Sequence, residues 1–156
     1  MKLTNTALDI LRLTITQSSE SEVREGQEVP SALRLNGVES SQRRHFLGKV
    51  NPILDKRDED RNKAVEDAKT AWKESNKKKA KEEDPSYEKR MIVALNADKE
   101  LIASMEVFQD AENDIDLEDK TIEVIKKYYI EYGDKVGWGV SDDKVVEQIN
   151  EVMGIV

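Results

Sequence analysis

Cysteine is absent from the sequence, which excludes disulfide bonds and thiolate metal sites. The single histidine, His45, follows Arg43 and Arg44, and nothing beside it resembles a catalytic triad or a zinc site. No GxGxxG or P-loop sequence occurs. Carboxylates are so numerous that no pair stands out for general acid–base chemistry. We therefore expect neither enzymatic activity nor a cofactor.

Aromatic residues and long apolar runs are also scarce. The chain has two tryptophans, four tyrosines and two phenylalanines, and its hydrophobic share is 37%, below the roughly 45–50% of globular domains. This composition allows a thin core between helices, whose apolar surface a partner or a second copy could complete. No run of about 18 apolar residues predicts a membrane span. Asp9 and Arg12 interrupt the first apolar stretch, so it does not resemble a secretory signal.

Basic surface is limited as well. The net charge is −8, and residues 98–123 carry ten acidic side chains against Lys99 and Lys120. The basic clusters at 43–45 and 77–81 are short, whereas proteins that bind nucleic acid usually present a basic face to the phosphates. We therefore expect no direct binding to nucleic acid.

A long helix is the main feature that the sequence does contain, from Ser40 or Ser41 as N-cap to Glu83. Its seam residues recur every three or four positions, as in a helix lying along another helix: Leu47, Val50, Leu54, Arg57, Arg61, Ala64, Ala68 and Ala71. Pro52 leaves two alternatives, a bend near Asn51 or a break with a new helix starting at the proline.

Two arginines, Arg57 and Arg61, fall on this seam. Their stems can cover the neighbouring helix while their charged groups reach water. In the second interpretation they pair with buried acids or bind an anionic partner. Both residues are therefore candidate partner-binding residues.

A second helix is predicted from about Ser86, after Asp84–Pro85 ends the first. Its apolar face comprises Tyr87, Met91, Ala94, Leu95, Leu101, Ile102 and Met105. The two helices would form an antiparallel hairpin. We predict an all-α fold, an elongated helical hairpin with smaller N- and C-terminal helices, with one short extended segment left open. The predicted division is 1–16 (N-terminal element), 17–39 (linker or loop) and 40–156 (helical domain).

The remaining elements follow from shorter patterns. Leu3–Thr16 predicts a helix capped by Thr4 or Asn5, although its second half also fits a strand. The polar stretch Gln17–Ser31 predicts a loop. Three further elements are predicted towards the C-terminus: a short extended piece and turn over Val107–Leu117, a helix over Leu117–Tyr132 capped by Asp116, and a helix over Asp142–Met153 capped by Ser141.

Acidic residues alternate at Asp110, Glu112, Asp114 and Asp116. A calcium-binding EF-hand loop needs glycine at its sixth position, and neither possible register supplies one. We expect no metal site here. The stretch is either a solvated edge around a helix cap or a phosphate mimic that binds a nucleic-acid-binding protein, so these four residues are candidate partner-binding residues.

Trp138 stands between two glycines and is the most distinctive local feature. It can pack as a wedge between the last predicted helix, Asp142–Met153, and the helix predicted over Leu117–Tyr132. Alternatively it is an exposed anchor for a partner, since tryptophan is enriched at binding hot spots.

Two stretches resemble a known group of proteins. The segment LRLNGVESSQRR (33–44) and the segment IEVIKKYYIEYGDKVGWGVSDDKVVEQINEVM (122–153), which follows the step DIDL, are similar to small uncharacterised helical proteins encoded in the tail-gene region of phages of Gram-positive bacteria. The resemblance implies a viral, virion-associated or assembly role in the virion or the host cytoplasm, and it brings no catalytic residues.

Two function classes follow. The first is a non-enzymatic protein-interaction protein that acts in tail assembly or in the virion, with a homo-oligomer as one option. The alternative is an acidic inhibitor that mimics nucleic acid and binds a host defence or nucleic-acid-binding protein.

Overall fold

The computed structural model describes residues 1–76, 86–133 and 143–155. In chain order its elements are β1 (Lys2–Thr4), α1 (Asn5–Thr16), β2 (Gln17–Arg24), β3 (Gln27–Ala32), α2 (Gly37–Ser75), α3 (Tyr87–Asn96), α4 (Lys99–Asp110), β4 (Glu112–Asp114), α5 (Asp119–Tyr132) and α6 (Asp143–Met153). The mostly helical class is confirmed. No helix in the described ranges is long and apolar enough to cross a membrane.

The chain divides into two compact units, which we call the first unit (residues 1–54 and 111–156) and the second unit (residues 55–110). The described core of the first unit contains Leu3, Ala7, Leu8, Leu11, Ile15, Leu33, Phe46, Val50, Leu54, Ile115, Ile125, Tyr128, Tyr129, Val145, Ile149 and Met153. These residues come from all four of its described helical segments as well as from β1. In the described part of the second unit, Met91 and Arg57 are the buried residues.

The N-terminal segment of the first unit is fixed by backbone pairing. β1 pairs antiparallel with β4, Leu3 opposite Asn113. α1 then begins with Thr4 as N-cap, whose side chain accepts a hydrogen bond from the Ala7 N–H at 3.2 Å. Gln148 on α6 accepts hydrogen bonds from both the backbone N–H and the hydroxyl of Thr4, at 3.1 and 3.2 Å. Residues 5–16 are helical along their whole length, so the strand alternative for their second half is wrong.

The interpretation of Gln17–Ser31 as a loop is wrong. β2 and β3 form an antiparallel hairpin in which Arg24 lies opposite Gln27. Glu25 and Gly26 make its two-residue turn, both with positive φ (53° and 79°), as a type I′ turn requires. Most side chains from Glu20 to Glu28 are exposed, so the strands carry no apolar alternation that the sequence could reveal.

Helix α2 begins at Gly37, so the expected cap at Ser40 or Ser41 is also wrong. Asn36 is the cap: its side chain accepts from the Glu39 N–H at 2.8 Å, and the Glu39 carboxylate accepts from the Asn36 N–H at 3.3 Å. This reciprocal pair is a capping box, with asparagine in the place of the usual serine or threonine. α2 then continues through Pro52 as one helix, which decides against the break.

The predicted seam of α2 is largely present in the burial pattern. Every seam residue from Leu47 to Ala68 is buried or half-buried, whereas Ala71 is exposed and Trp72 takes the inner position instead. Within the second unit, the ring of Trp72 lies 5.0 Å from that of Tyr87, and Arg57 donates to Gln109 at 3.4 Å. The expected end of the helix near Asp84–Pro85 lies outside the described residues.

The second predicted helix is in fact two. Asp98 ends α3 and starts α4, because its carboxylate accepts from the N–H groups of Glu100 and Leu101 at 3.0 and 3.1 Å. This is ordinary N-cap bonding, and the good helix formers on both sides of Asp98 conceal it in the sequence. α4 also extends to Asp110, so the first residues of the expected extended piece are helical, while 112–114 are a strand.

The C-terminal helices differ from expectation mainly at their starts. α5 begins at Asp119 with Glu118 as its N-cap, and Glu118 makes no side-chain capping bond. The expected cap at Asp116 is therefore wrong. α6 spans Asp143–Met153 and buries Val145, Ile149 and Met153. Its expected cap, Ser141, lies outside the part of the chain that the structure describes.

Candidate functional site

A buried carboxylate, Glu39, connects the start of α2 to α5 within the first unit. Its side chain accepts from the Tyr128 hydroxyl at 2.8 Å and from the Lys127 ammonium at 2.9 Å, in addition to the backbone N–H of Asn36. One turn later, the Thr121 hydroxyl donates to Gln42 at 2.6 Å. These bonds fix the register between α2 and α5, which run in opposite directions here.

This cluster shifts the pKa values of its members. The hydrogen bond from Lys127 lowers the pKa of Glu39 below its ordinary value, and the bonds from Tyr128 and Asn36 act in the same direction against the effect of burial. The pKa of Lys127 is raised, first by its bond to Glu39. Burial, followed by the hydrogen bond to Glu39, raises the pKa of the Tyr128 hydroxyl. All three groups therefore keep their usual protonation states at neutral pH.

A polar cleft of about 390 Å³ lies next to this cluster in the first unit. It is lined by Ser18, Glu20, Ser31, Ala32, Leu33, Arg34, Lys127, Tyr128, Glu131 and Tyr132. The rings of Tyr128 and Tyr132 stack with their centroids 6.2 Å apart, and Lys127 lies 5.0 Å from the centre of the Tyr128 ring. The cleft thus brings charges of both signs and two aromatic rings together.

Most polar groups of this cleft already bond to each other. The hydroxyls of Ser18 and Ser31 lie 2.9 Å apart. The pKa of Tyr132 is raised, mainly by its neighbour Glu131. Lys127 and Tyr128 both bond to Glu39. The arrangement accordingly resembles a structural network more than a set of groups aimed at a ligand.

The predicted acidic residues are distributed along one segment. Asp110 ends α4 and is exposed, while Glu112 and Asp114 lie on β4 with exposed side chains. Asp114 is 3.2 Å from the amino group of Met1. Lys49 donates to the backbone carbonyl of Asp116, whose side chain is exposed. No group of three or more acidic or histidine residues able to hold a metal ion occurs in the described ranges.

The two seam arginines behave differently. Arg57 is only 6% exposed, and its guanidinium bonds to Asp58 at 2.8 and 3.0 Å as well as to Gln109. Arg61 is half-buried and lies 4.0 Å from the same Asp58 carboxylate. Asp58 is itself nearly half exposed, so the structure brings both arginines to one acid at the surface of the second unit. Trp138 lies outside the described residues, and both interpretations of it stay predictions.

Exposed apolar side chains on α3 and α4 are more informative. Ile92 is 53% exposed, Val93 67%, Ile102 43% and Val107 66%. We call this surface, formed by Ile92, Val93, Ile102 and Val107, the α3–α4 face. Ile102 had been expected on the inner side. The signal available in the sequence was that α3 and α4 have more apolar residues than one seam uses.

The comparisons with known proteins give no further guidance. No family model matches the chain. No curated protein and no solved structure matches it either.

Proposed function

We propose that this chain is a non-enzymatic protein-interaction protein that binds its partner through the α3–α4 face. The observation that carries the proposal is the exposure of four large apolar side chains on two consecutive helices. Single exposed apolar residues are ordinary, but a group of them on two consecutive helices is typical of an interaction surface. Each of these side chains would gain about 25 cal/mol for every Å² that a partner covers.

The proposal includes the finer architecture, in which the second half of α2 and α3–α4 form an antiparallel helical hairpin. Two contacts support it. Arg57, early in this half of α2, bonds to Gln109 near the end of α4, whereas Trp72, late in α2, contacts Tyr87 at the start of α3. Two helices alone cannot enclose a core, which accounts for the single buried hydrophobic residue among the described residues of this unit.

The biological setting of the proposal rests on the resemblance to phage tail-region proteins. In that setting the chain is a virion-associated or tail-assembly protein whose hairpin docks on a structural partner. The charged surroundings of the α3–α4 face would keep the free protein soluble before assembly, and the apolar side chains would provide the binding energy afterwards.

The test is capture of partners from a lysate of infected host cells by the immobilised chain, compared with an Ile92→Asp/Val107→Asp variant. Capture that persists from about 0.05 to about 0.5 M salt, and that the variant loses, supports the proposal, because apolar contacts are not screened by ions. The matched control is Glu74→Ala/Lys73→Ala on the exposed surface of α2. Capture that the face variant retains would contradict the proposal.

The alternative function is an acidic inhibitor that mimics nucleic acid. It is favoured by the exposed carboxylates of Asp110, Glu112 and Asp116, which follow one another along the chain. A partner bound in this way should be released as salt rises, since exposed charges are screened beyond about 8 Å at physiological ionic strength. It should also be lost in a Glu112→Gln/Asp116→Asn variant and retained by Ile92→Asp/Val107→Asp, the opposite of the result expected above.

A further inference from the structure

Two residues of the α3–α4 face, Ile92 and Val107, belong to a longer exposed stripe whose charges have a definite order. Its members recur at helical spacing along the outer side of both helices and are all exposed: Lys89, Ile92, Asn96, Lys99, Glu100, Ala103, Val107 and Asp110. The stripe begins with a cation and ends with an acid, and its apolar residues lie towards the two ends. This order restricts the partners that can cover it.

The interruption between α3 and α4 is short. Ala97 keeps backbone angles in the helical region (φ −97°, ψ −3°). The Ala97 N–H bonds to the Val93 carbonyl at 3.2 Å, and the Ile102 N–H bonds to the Asp98 carbonyl at 3.0 Å. The interruption is therefore confined to about two residues. From Lys89 to Asp110 the stripe covers 22 residues, so at 1.5 Å each it would extend roughly 33 Å if the two helices are collinear.

The stripe is complementary to a second copy of itself that runs in the opposite direction. When the stripe is laid antiparallel on a copy of itself about the midpoint between Lys99 and Glu100, four matched pairs result: Lys89 with Asp110, Ile92 with Val107, Asn96 with Ala103, and Lys99 with Glu100. Opposite charges meet at both ends and at the centre, and apolar residues meet between them. Parallel pairing would instead place Lys89 on Lys89 and Asp110 on Asp110, which is repulsive.

We infer that the α3–α4 stripe is the interface of an antiparallel, two-fold symmetric dimer of this chain. In such an interface residue i contacts j and residue j contacts i, so every pair named above occurs twice. The second copy lays its own α3 and α4 over the thin layer that α2, α3 and α4 form in the second unit. This inference rests on the proposed function, and it identifies the partner of the same face as a second copy.

Sedimentation analysis of the full chain between about 1 and 100 μM tests the inference. We expect a monomer–dimer equilibrium in this range, with Lys89→Asp and Asp110→Lys each raising Kd about tenfold, because each substitution turns two attractive pairs into repulsive ones. The double exchange Lys89→Asp/Asp110→Lys restores the pairing, and its Kd should return to within about threefold of that of the unmodified chain. Ile92→Asp should abolish the dimer.

Lys73→Asp is the matched control, since it makes the same change of charge at an exposed position of α2 away from the stripe. Its Kd should equal that of the unmodified chain. The double exchange also controls for net charge, because it has the same amino-acid composition as the unmodified chain.

The inference would be overturned if the chain stayed monomeric throughout this range. It would also be overturned if the Kd of the dimer were unchanged by Ile92→Asp and by the charge exchange. The proposed function fails separately. It is lost when the face variant still captures its partner from a lysate, whatever the chain does in isolation. A monomer that captures a different protein through Ile92 and Val107 would retain the proposed function and refute the dimer.

Discussion

The side chain of Glu39 has two structural roles. Its carboxylate completes the capping box with Asn36 at the start of α2, and it also binds Lys127 and Tyr128 on α5. Charge-assisted hydrogen bonds of this kind are stronger than neutral ones, and a buried hydroxyl that loses its acceptor costs free energy. The residue therefore contributes to helix initiation and to the packing of two helices at once.

The first prediction separates these two roles. Glu39→Ala should lower the free energy of unfolding by about 2 kcal/mol, because it leaves the Tyr128 hydroxyl buried without its acceptor and removes half of the capping box. Glu39→Gln should cost about 1 kcal/mol, since glutamine can still serve in the box. Chemical denaturation measures both. Glu88→Ala, at an exposed position of α3, is the control and should change stability by less than about 0.5 kcal/mol.

The same carboxylate predicts a dependence of stability on pH. Because folding lowers the pKa of Glu39 from its ordinary 4.5, its contribution is fully present above about pH 4.5 and is lost as the pH falls through the lowered value. Denaturation at about pH 6 and about pH 3 should therefore show a smaller difference between the unmodified chain and Glu39→Gln in acid. A constant difference across this range would contradict the assignment of the shift to folding.

At the scale of elements, two glycines differ in backbone conformation, one in the turn of the β2–β3 hairpin and one inside the long helix α2. Gly26 has φ +79°, whereas Gly48 lies inside α2, and a Cβ at either position would meet nothing within 4 Å. Differences between the two substitutions therefore come from backbone preference alone. This matters because the β2–β3 hairpin lacks the apolar pattern that normally specifies a strand.

We predict that Gly26→Ala lowers the free energy of unfolding by about 1 kcal/mol, because alanine is strained in the left-handed region. Gly48→Ala should raise it by about 0.5–1 kcal/mol, since alanine favours a helix interior over glycine. Thermal unfolding of both variants measures the two opposite shifts. Shifts of equal sign would show that one of these two backbone assignments is incorrect.

The elements that sequence reasoning located correctly are those in which apolar spacing and burial agree. The seam from Leu47 to Ala68 was visible because it recurs at a fixed spacing. The expected cap at Ser40 or Ser41 overlooks Asn36, although asparagine followed three residues later by glutamate is the pattern of a capping box. Asp98, a cap between two helices, is overlooked in the same way. The β2–β3 hairpin has no apolar pattern from which it could be predicted, because backbone hydrogen bonds between its strands hold it together.

The candidate surface could be predicted only in part. Periodicity assigned Tyr87, Met91 and Leu101 to the inner side of α3 and α4, and they are buried or half-buried. It also assigned Ile102 there, but Asp98 restarts the helix and leaves Ile102 largely outside. Coordinates were needed to show that α3 and α4 carry apolar residues on both sides.

At the scale of the whole molecule, the two units differ in how much they bury. The described core of the first unit contains sixteen buried hydrophobic residues. Among the described residues of the second unit, Met91 is the one buried hydrophobic residue. Regions with few buried apolar contacts open locally at a lower free energy than the global transition. The units should therefore differ in their internal dynamics.

Hydrogen exchange provides the corresponding prediction. Amides in the middle of α3 and α4 should exchange at least about tenfold faster than those in the middle of α1 and α5, measured at low protein concentration by mass spectrometry. Dilution is part of the design, because covering the α3–α4 face would slow exchange there. Equal protection of the four helices in the monomer would contradict the interpretation that the second unit is thinly packed.

The antiparallel register between α2 and α5 has a consequence for changes in chain length. Glu39, Gln42 and Lys49 each bond to a partner in or just before α5, and every residue of a helix turns the following ones by about 100°. One residue inserted between Glu39 and Lys49 would therefore point either the carboxylate or the ammonium away from its partner. The exposed tip of the β2–β3 hairpin carries no such constraint, so insertions and deletions should accumulate there and not in the first turns of α2.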